Sequence, residues 1–254
     1  MAVRVEVRED VVLWITLDAP EALNAFEPES MAAMADAWAR LRDEPELRAG
    51  VITGAGERAF CVGSNLKSFI PRLQSGELGP RDNEGCYLKG PAGPVYKPVI
   101  AAVNGDCLGG GLELLTCADL RLSVPTARFG LPECRWGVYP GGGGTSRLPR
   151  QIAYVHAMDM LLTGRLVPAG EALSMGLVNR IVERDALDDA ALDLALQVAG
   201  NGTLAVQAIK EAVARGADLP LEEAYVLESD LGAAVFRSAE AAEGLAAFAE
   251  KREP

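Results

Sequence analysis

The stretch that most restricts how this chain can fold is LGGGLELL, residues 108–115. Three glycines run straight into an apolar segment, and one carboxylate, Glu113, stands inside it. If Leu112, Leu114 and Leu115 form core, Glu113 is carried to the core with them. A buried carboxylate is costly unless a partner satisfies it or a reaction uses it. Any fold assigned to this chain must therefore pair Glu113 or put it to work.

Strand and helix signals alternate around that stretch. VVLWITLD (11–18) is apolar and β-branched and ends at Asp18-Ala19-Pro20, which predicts a strand. PESMAAMADAWARLRDEP (28–45) sets Met31, Met34, Ala35, Trp38 and Leu41 at helical spacing, with Pro28 at the start and Pro45 just past the end. AGVITGAG (49–56) reads as a short buried strand entering a glycine turn, and KPVIAAVNG (97–105) as another, followed by a helix from about Gly110. LRLSVPTARFG (120–130) reads as a further strand and turn. Between them, residues 71–94 are rich in Pro, Gly and charge and read as a long surface excursion. From Ser146 onward helices dominate, over 146–163, 185–199, 203–215, 221–236 and 238–251. The expectation is an α/β first part with a helical tail, without an internal sequence repeat.

The chain has 254 residues, enough for a large core. Its 49% hydrophobic and 24% charged residues are those of an ordinary globular protein. No apolar run approaches the ~18 residues of a membrane helix, and MAVRVEVRED lacks the apolar stretch of a secretory signal. A cytoplasmic location is expected. The net charge of −12 argues against nucleic acid or an anionic membrane as the main partner. Five cysteines without a C-x-x-C pair fit reduced thiols, with no metal site expected.

Much familiar chemistry is missing. The single histidine, His156, has no second histidine and no neighbouring acid, so it reads as a core or helix-surface residue. There is no G-x-S-x-G, no phosphate-binding P-loop and no dinucleotide fingerprint after an early strand. Glycine and carboxylate remain. CVGSNLK (61–67) and CLGGGLEL (107–114) each run from a strand through glycine into a helix, leaving backbone N–H groups outward at a helix start. Two such turns brought together would form an oxyanion hole. A second carboxylate, Glu133, stands in FGLPECRWG amid aromatic and aliphatic residues. Two acids in apolar settings suit general acid–base chemistry. A third glycine cluster, YPGGGGTSRL (139–148), follows, in which Thr145 or Ser146 could cap the next helix.

These segments, in this order, resemble the enoyl-CoA hydratase/isomerase (crotonase) superfamily. The resemblance runs from ITLDAPEALNAF through VITGAGERAFCVGSNLKSF, KPVIAAVNGDCLGGGLELLTCADLRL, ARFGLPECRWGVYPGGGGTSRLPR and LLTGRLVPAGEALSMGLVNRIV to AFAEKR, most of the chain. It implies an α/β fold, a spiral of ββα units over 1–196 carrying an acyl-CoA site, followed by a helical region over 197–254. That tail is expected to mediate trimers, which commonly pair into hexamers, and to contact CoA. The implied ligand is an acyl-CoA thioester, with coenzyme A as part of the substrate and no separate cofactor.

By the same resemblance, the backbone N–H groups of Ser64 and Gly110 would hold the thioester oxygen. Glu113 and Glu133 match the pair that holds the water in members that hydrate a double bond, and Gly141 matches the position that helps orient it. Isomerases of the family typically keep only the second glutamate. Ala22, Val62, Ser64, Leu66 and Lys67 match positions around the CoA moiety, and Phe248 and Lys251 match a C-terminal contribution to it. The chain departs from the pattern in places. Asn65 stands where relatives often have Asp. Glu21 stands where many place Lys or Arg near the CoA phosphates, so Arg58, Lys67, Lys251 or Arg252 would supply that charge. Asp106 replaces a residue that is usually aromatic or small and reads as a turn acid. The expected activity is hydration of a 2-enoyl-CoA, or the reverse dehydration. The alternatives are an isomerase, a carnitinyl-CoA-dehydratase-like enzyme, or a non-catalytic acyl-CoA binder.

Overall fold

The computed structural model describes residues 2–79, 81–88 and 94–252. The expected excursion over 71–94 therefore lies partly outside the described residues, at 80 and 89–93.

Two sheets organise the chain. The first has six strands in the order β1 (Ala2–Arg8), β2 (Val12–Asp18), β3 (Ala49–Gly54), β5 (Val99–Val103), β7 (Leu120–Ser123) and β10 (Arg180–Ile181). Only the β1–β2 pair is antiparallel, and the rest run parallel. The second has four strands, β4 (Ala59–Cys61), β6 (Asp106–Leu108), β8 (Arg128–Gly130) and β9 (Val167–Pro168), with β4, β6 and β8 parallel. Each pass of the chain thus lays one strand in the first sheet and the next in the second: β3 then β4, β5 then β6, β7 then β8. This is the expected ββα spiral. β3 is buried along its whole length, as a parallel strand covered on both faces should be. The hairpin strand β1 alternates charge with valine, and its apolar positions are too few to mark it as a strand within a charged N-terminus.

The sharp step between sheets is stapled by two buried amides. Asn24 Nδ2 donates to the carbonyls of Ala55 (3.0 Å) and Ala59 (2.8 Å) while its Oδ1 accepts from Ala19 N–H. Asn104 accepts from Gly54 N–H and donates to Gly56 O and Ala59 O. A buried loop must satisfy its backbone somewhere, and these two side chains do it here. Asp106 is more than a turn acid. Both its oxygens accept from Arg128, at 2.9 and 2.5 Å, tying β6 to β8.

The long helix α1 (Pro28–Asp43) buries Met31, Met34, Ala37, Trp38 and Leu41, the expected apolar stripe with Ala37 in place of Ala35. α2 (Leu66–Gln74) follows β4, and α3 (Gly110–Leu115) follows β6. The single helix expected over 146–163 is two, α4 (Gly144–Gln151) and α5 (Tyr154–Thr163). Ile152 leaves helical backbone (φ −127°, ψ 167°) to place its side chain in the core, which interrupts the ladder despite a helix-compatible pattern. α6 (Ala169–Ser174) precedes β10, and α7 (Leu187–Ala199) packs across β2, β3 and β5. α7 runs through position 197, and α8 (Thr203–Gly216), α9 (Leu221–Phe236) and α10 (Ala239–Glu250) follow it. α8 and α9 bury none of their residues and carry exposed Ile209, Val213, Val226 and Phe236. Among the described residues no helix is long and apolar enough to cross a membrane.

Candidate active site

Because β4, β6 and β8 are parallel neighbours, their C-terminal ends lie side by side. Cys61 is in register with Cys107, and Leu108 with Gly130. Each strand then turns out of the sheet within a few residues: Val62-Gly63-Ser64 after β4, Gly109-Gly110 after β6, Leu131-Pro132-Glu133 after β8. Three stretches far apart in sequence therefore meet at one sheet edge. Ligands of open α/β sheets commonly bind beyond such strand ends. A cavity of about 350 Å³ opens there, and Ser64, Gly110, Glu113, Glu133 and Gly141 all line it.

The backbone donors follow from local geometry. Phe26 N–H donates to Gly63 O at 2.7 Å and Asn65 N–H donates to Phe26 O at 2.8 Å, an isolated parallel bridge spanning Ser64. Backbone N–H groups alternate sides along an extended segment, so Ser64 N–H points away from Phe26, on the side where Ser64 lines the cavity. Gly110 opens α3, where an N–H has no carbonyl one turn back. The two turns press together: Gly63 adopts φ +89°, and a Cβ there would stand 2.7 Å from Gly110 N. Only glycine permits that approach.

Glu113 sits in the first turn of α3 and is 3% exposed. Its Oε1 accepts the N–H of Gly144 at 2.9 Å. Gly144 is the first residue of α4, and no side chain of Thr145 or Ser146 caps that helix. The expected cap is thus corrected. The orphan N–H at this helix start is taken by a carboxylate from another helix, which also favours negative charge beside the positive end of α4. The quadruple glycine lets this happen, because a Cβ at Gly142 would stand 2.5 Å from Glu113 Oε2 and one at Gly144 would crowd Oε1 at 3.2 Å.

Glu133 lies in a short 3-10 turn (Pro132–Trp136) on the other side of Gly109. A Cβ on Gly109 would be 3.1 Å from Glu133 Oε1. Its Oε2 is buried and has no hydrogen-bond partner among the described residues. Burial pushes its carboxyl up to about 7, its own backbone N–H opposing this and the Glu113 charge adding to it. The two acids thus sit in unlike surroundings, Glu113 held by a donor and Glu133 short of one. Environments that pull two carboxyls apart assign different proton roles.

Of the other residues singled out by resemblance, Val62 and Leu66 line the cavity, whereas Ala22, Lys67, Phe248 and Lys251 do not. Lys67 is exposed on α2, and Phe248 and Lys251 are exposed at the end of α10. Arg58 donates to the carbonyls of Pro20 (3.0 Å) and Glu21 (3.4 Å), which sets a guanidinium beside the acid that stands where relatives carry a base. His156 is half-buried on α5 and lies outside the cavity lining.

Sequence reasoning missed Tyr87 and Asn83, which also line the cavity. Both lie in the 71–94 stretch, where neither periodicity nor a motif marks them. Tyr87 is buried, its ring edge-on to Phe26 with centroids 6.2 Å apart. Its carbonyl accepts from Arg147 Nη2 at 2.7 Å and from Cys117 Sγ at 3.3 Å, and the preceding carbonyl of Cys86 accepts from Trp38 Nε1 at 2.9 Å. The departure at Asn65 also has a reason. Its Nδ2 donates to Glu27 Oε1 at 2.7 Å while Oδ1 accepts from Lys67 N–H as the cap of α2. Ser68 Oγ donates to the other Glu27 oxygen. An aspartate at 65 could cap the helix but could not donate to Glu27.

The strand-end cavity brings paired backbone turns and two carboxylates in unlike settings together, an arrangement suited to acid–base chemistry beside backbone donors. The chain belongs to the enoyl-CoA hydratase/isomerase family, whose model matches residues 7–254. It is 42% identical to (E)-benzylidenesuccinyl-CoA hydratase of Thauera aromatica, over 100% of this chain and 98% of that one. It is 40% identical to carnitinyl-CoA dehydratase of Salmonella paratyphi A, over 97% of this chain and 95% of the other. Among solved structures, enoyl-CoA hydratase EchA1 of Mycobacterium marinum superimposes with a TM-score of 0.90 at 39% identity, covering 99% of this chain and 97% of that one.

Proposed function

We propose that this chain is a hydro-lyase that adds water across the C2=C3 double bond of a 2-enoyl-CoA thioester, or runs the reverse dehydration. The observation that carries the reading is that Glu113 and Glu133 both open onto the cavity lined by Ser64 and Gly110. Relatives that share the fold and sequence pattern, a hydratase and a dehydratase among them, support it.

In this reading the thioester carbonyl accepts from Ser64 N–H and Gly110 N–H. Attack of water at C3 moves electrons through C2 to that oxygen, and each donor to the resulting enolate contributes on the order of 3 kcal/mol. Glu113, as carboxylate, takes the proton of the attacking water, and Gly141 helps orient that water. Glu133 holds a proton near neutrality and delivers it to C2, which the burial that raises its carboxyl to about 7 favours. Reversal eliminates water from a 3-hydroxyacyl-CoA. The reaction is redox-neutral and so calls for no redox cofactor, and in this reading CoA takes part only as a portion of the substrate.

The acyl group would lie against Phe69, Ile70 and Leu73 of α2 and against Trp136, an apolar and partly aromatic wall. Carbonyls near Val62, Ser64 and Leu66, with Ala22 and Lys67, would meet the CoA nucleotide, and Arg58 would serve its phosphates. The exposed apolar side chains of α8 and α9 support a homotrimer, or a hexamer of two trimers, in which Phe248 and Lys251 reach the CoA of a neighbouring subunit. A cytoplasmic location fits a CoA-dependent reaction.

Turnover of a panel of enoyl-CoA thioesters, from crotonyl-CoA to longer and aryl-substituted ones, tests the reading by loss of the conjugated enoyl absorbance. Hydration of at least one, abolished in Glu113→Gln, supports it. Double-bond migration that survives Glu113→Gln would make the chain an isomerase instead, and binding without turnover would make it an acyl-CoA binder.

A further inference from the structure

Beyond the two backbone N–H groups and the two carboxylates, the cavity holds one buried hydroxyl whose job is unassigned. A methyl group on Gly110 would collide with Tyr87 Oη, so this hydroxyl packs against the Cα of the residue whose N–H lines the cavity. A Cβ on Gly142 would meet the Tyr87 ring carbons Cε2 and Cζ at 2.8 Å and Glu113 Oε2 at 2.5 Å. The phenol therefore stands beside Gly110 and on the Gly142 side near the Glu113 carboxylate. Tyr87 is only 1% exposed as a residue, and it lines the cavity; among the described residues no hydrogen bond to its hydroxyl is made, so the oxygen is open to whatever the cavity holds. Buried hydroxyls ordinarily have a partner.

Everything around Tyr87 fixes its orientation rather than engaging its oxygen. Phe26 supports the ring from the same segment whose backbone carries the Ser64 bridge. Arg147, Cys117 and Trp38 hold the backbone at 86–87. A preorganised donor in a water-poor cavity acts without reorganising during reaction, which is what stabilises developing charge. Burial, above all, holds the phenol proton on well above its ordinary range, so the group serves as a hydrogen-bond donor throughout.

We propose that Tyr87 Oη is a third donor to the thioester oxygen, closing the oxyanion site that Ser64 N–H and Gly110 N–H begin. It keeps its proton, and no bond to it forms or breaks. The inference rests on the acyl-CoA reading above and adds to it a side-chain contact.

Tyr87→Phe in the full-length enzyme tests it, because the ring and its packing are retained. Two measurements are made: kcat and KM with an enoyl-CoA that the parent turns over, and the enolate absorbance of bound acetoacetyl-CoA. We expect kcat to fall on the order of 10²-fold with little change in KM. We also expect the bound enolate-to-keto ratio to fall at least about tenfold, at an unchanged melting temperature. A kcat within about twofold of the parent, or an equal enolate ratio, overturns the proposal and leaves the hydro-lyase reading standing. If the parent protein binds no acyl-CoA at all, both readings fall together.

Discussion

Gly144 N–H donates to Glu113 Oε1 at 2.9 Å, so the first residue of one helix holds the carboxylate of another. That bond answers why a charge sits inside LGGGLELL: it is paired at a helix start and still opens onto the cavity. Replacing the acid by its amide keeps the shape but removes the base. Glu113→Gln should lower kcat/KM for hydration about 10³-fold, within the range for loss of general-base catalysis, while acyl-CoA binding measured by calorimetry persists. An unaltered rate would remove Glu113 from the chemistry.

The raised carboxyl of Glu133 predicts a pH profile. Hydration neither consumes nor releases a proton, so the working state in either direction carries one proton on the Glu113–Glu133 pair. Glu133, pushed up to about 7 by burial, is where that proton chiefly resides. Activity should therefore fall as pH rises through about 7, and kcat/KM should do so equally for hydration and dehydration. Initial rates in both directions across a buffer series check this, and a profile flat across neutrality would contradict it.

The same group bears on stability. Glu133 is harder to ionise folded than unfolded, so the native state binds more protons between the ordinary carboxylate range and about 7. Its contribution to unfolding free energy should decline as pH rises through that window. Glu133→Gln should remove this slope, so urea midpoints of parent and variant should diverge with increasing pH, the variant gaining. Parallel midpoints would show that the carboxyl titrates alike in both states.

Gly63 has φ +89°, and a Cβ there would approach Gly110 N to 2.7 Å. Gly63→Ala should cost about 1–2 kcal/mol in backbone strain and lower kcat on the order of 10²-fold by spreading the paired donors. Denaturant unfolding and initial rates separate the two effects. A variant of parental kcat would mean the turns need not touch.

Asn65 donates to Glu27, which that bond and the one from Ser68 Oγ hold below the ordinary carboxylate range, Ser68 contributing most. The stabilisation is present above that range and is lost as pH falls through it. Asn65→Asp replaces a donor by a second negative charge. At this partly exposed site it should cost about 1 kcal/mol at neutral pH, shrinking as acid neutralises the pair. Urea midpoints at neutral and mildly acidic pH measure it, and a loss independent of pH would assign the effect to capping alone.

Legibility in the sequence followed local physics. α1 could be read from its apolar spacing and bounding prolines, and β2, β3 and β5 from their short β-branched runs. Glu113, Glu133 and the glycine turns at 61–67 and 107–114 could be singled out because carboxylates in apolar runs and glycines before helices are locally odd, whereas Ser64 and Gly110 within those turns were marked by the family resemblance. The break at Ile152 could not be read, since a tertiary demand for that side chain in the core overrode a pattern that continues helically past it. Nor could Tyr87 be picked out, since nothing in its own neighbourhood distinguishes it from the other residues of a Pro- and Gly-rich stretch.

The residue order alone determined that this chain alternates strands and helices, and that a carboxylate must be accommodated within an apolar segment after three glycines. It did not determine which groups meet. The register of β4, β6 and β8 did that, by aligning three strand ends whose turns carry Ser64, Gly110 and Glu133. The helix start that Glu113 caps and the aromatic ring beside Gly110 arrive from other parts of the chain. Proton affinity and hydrogen-bond supply depend on such non-local neighbours, so the division of roles between the two acids exists only once the sheets have closed the cavity around them.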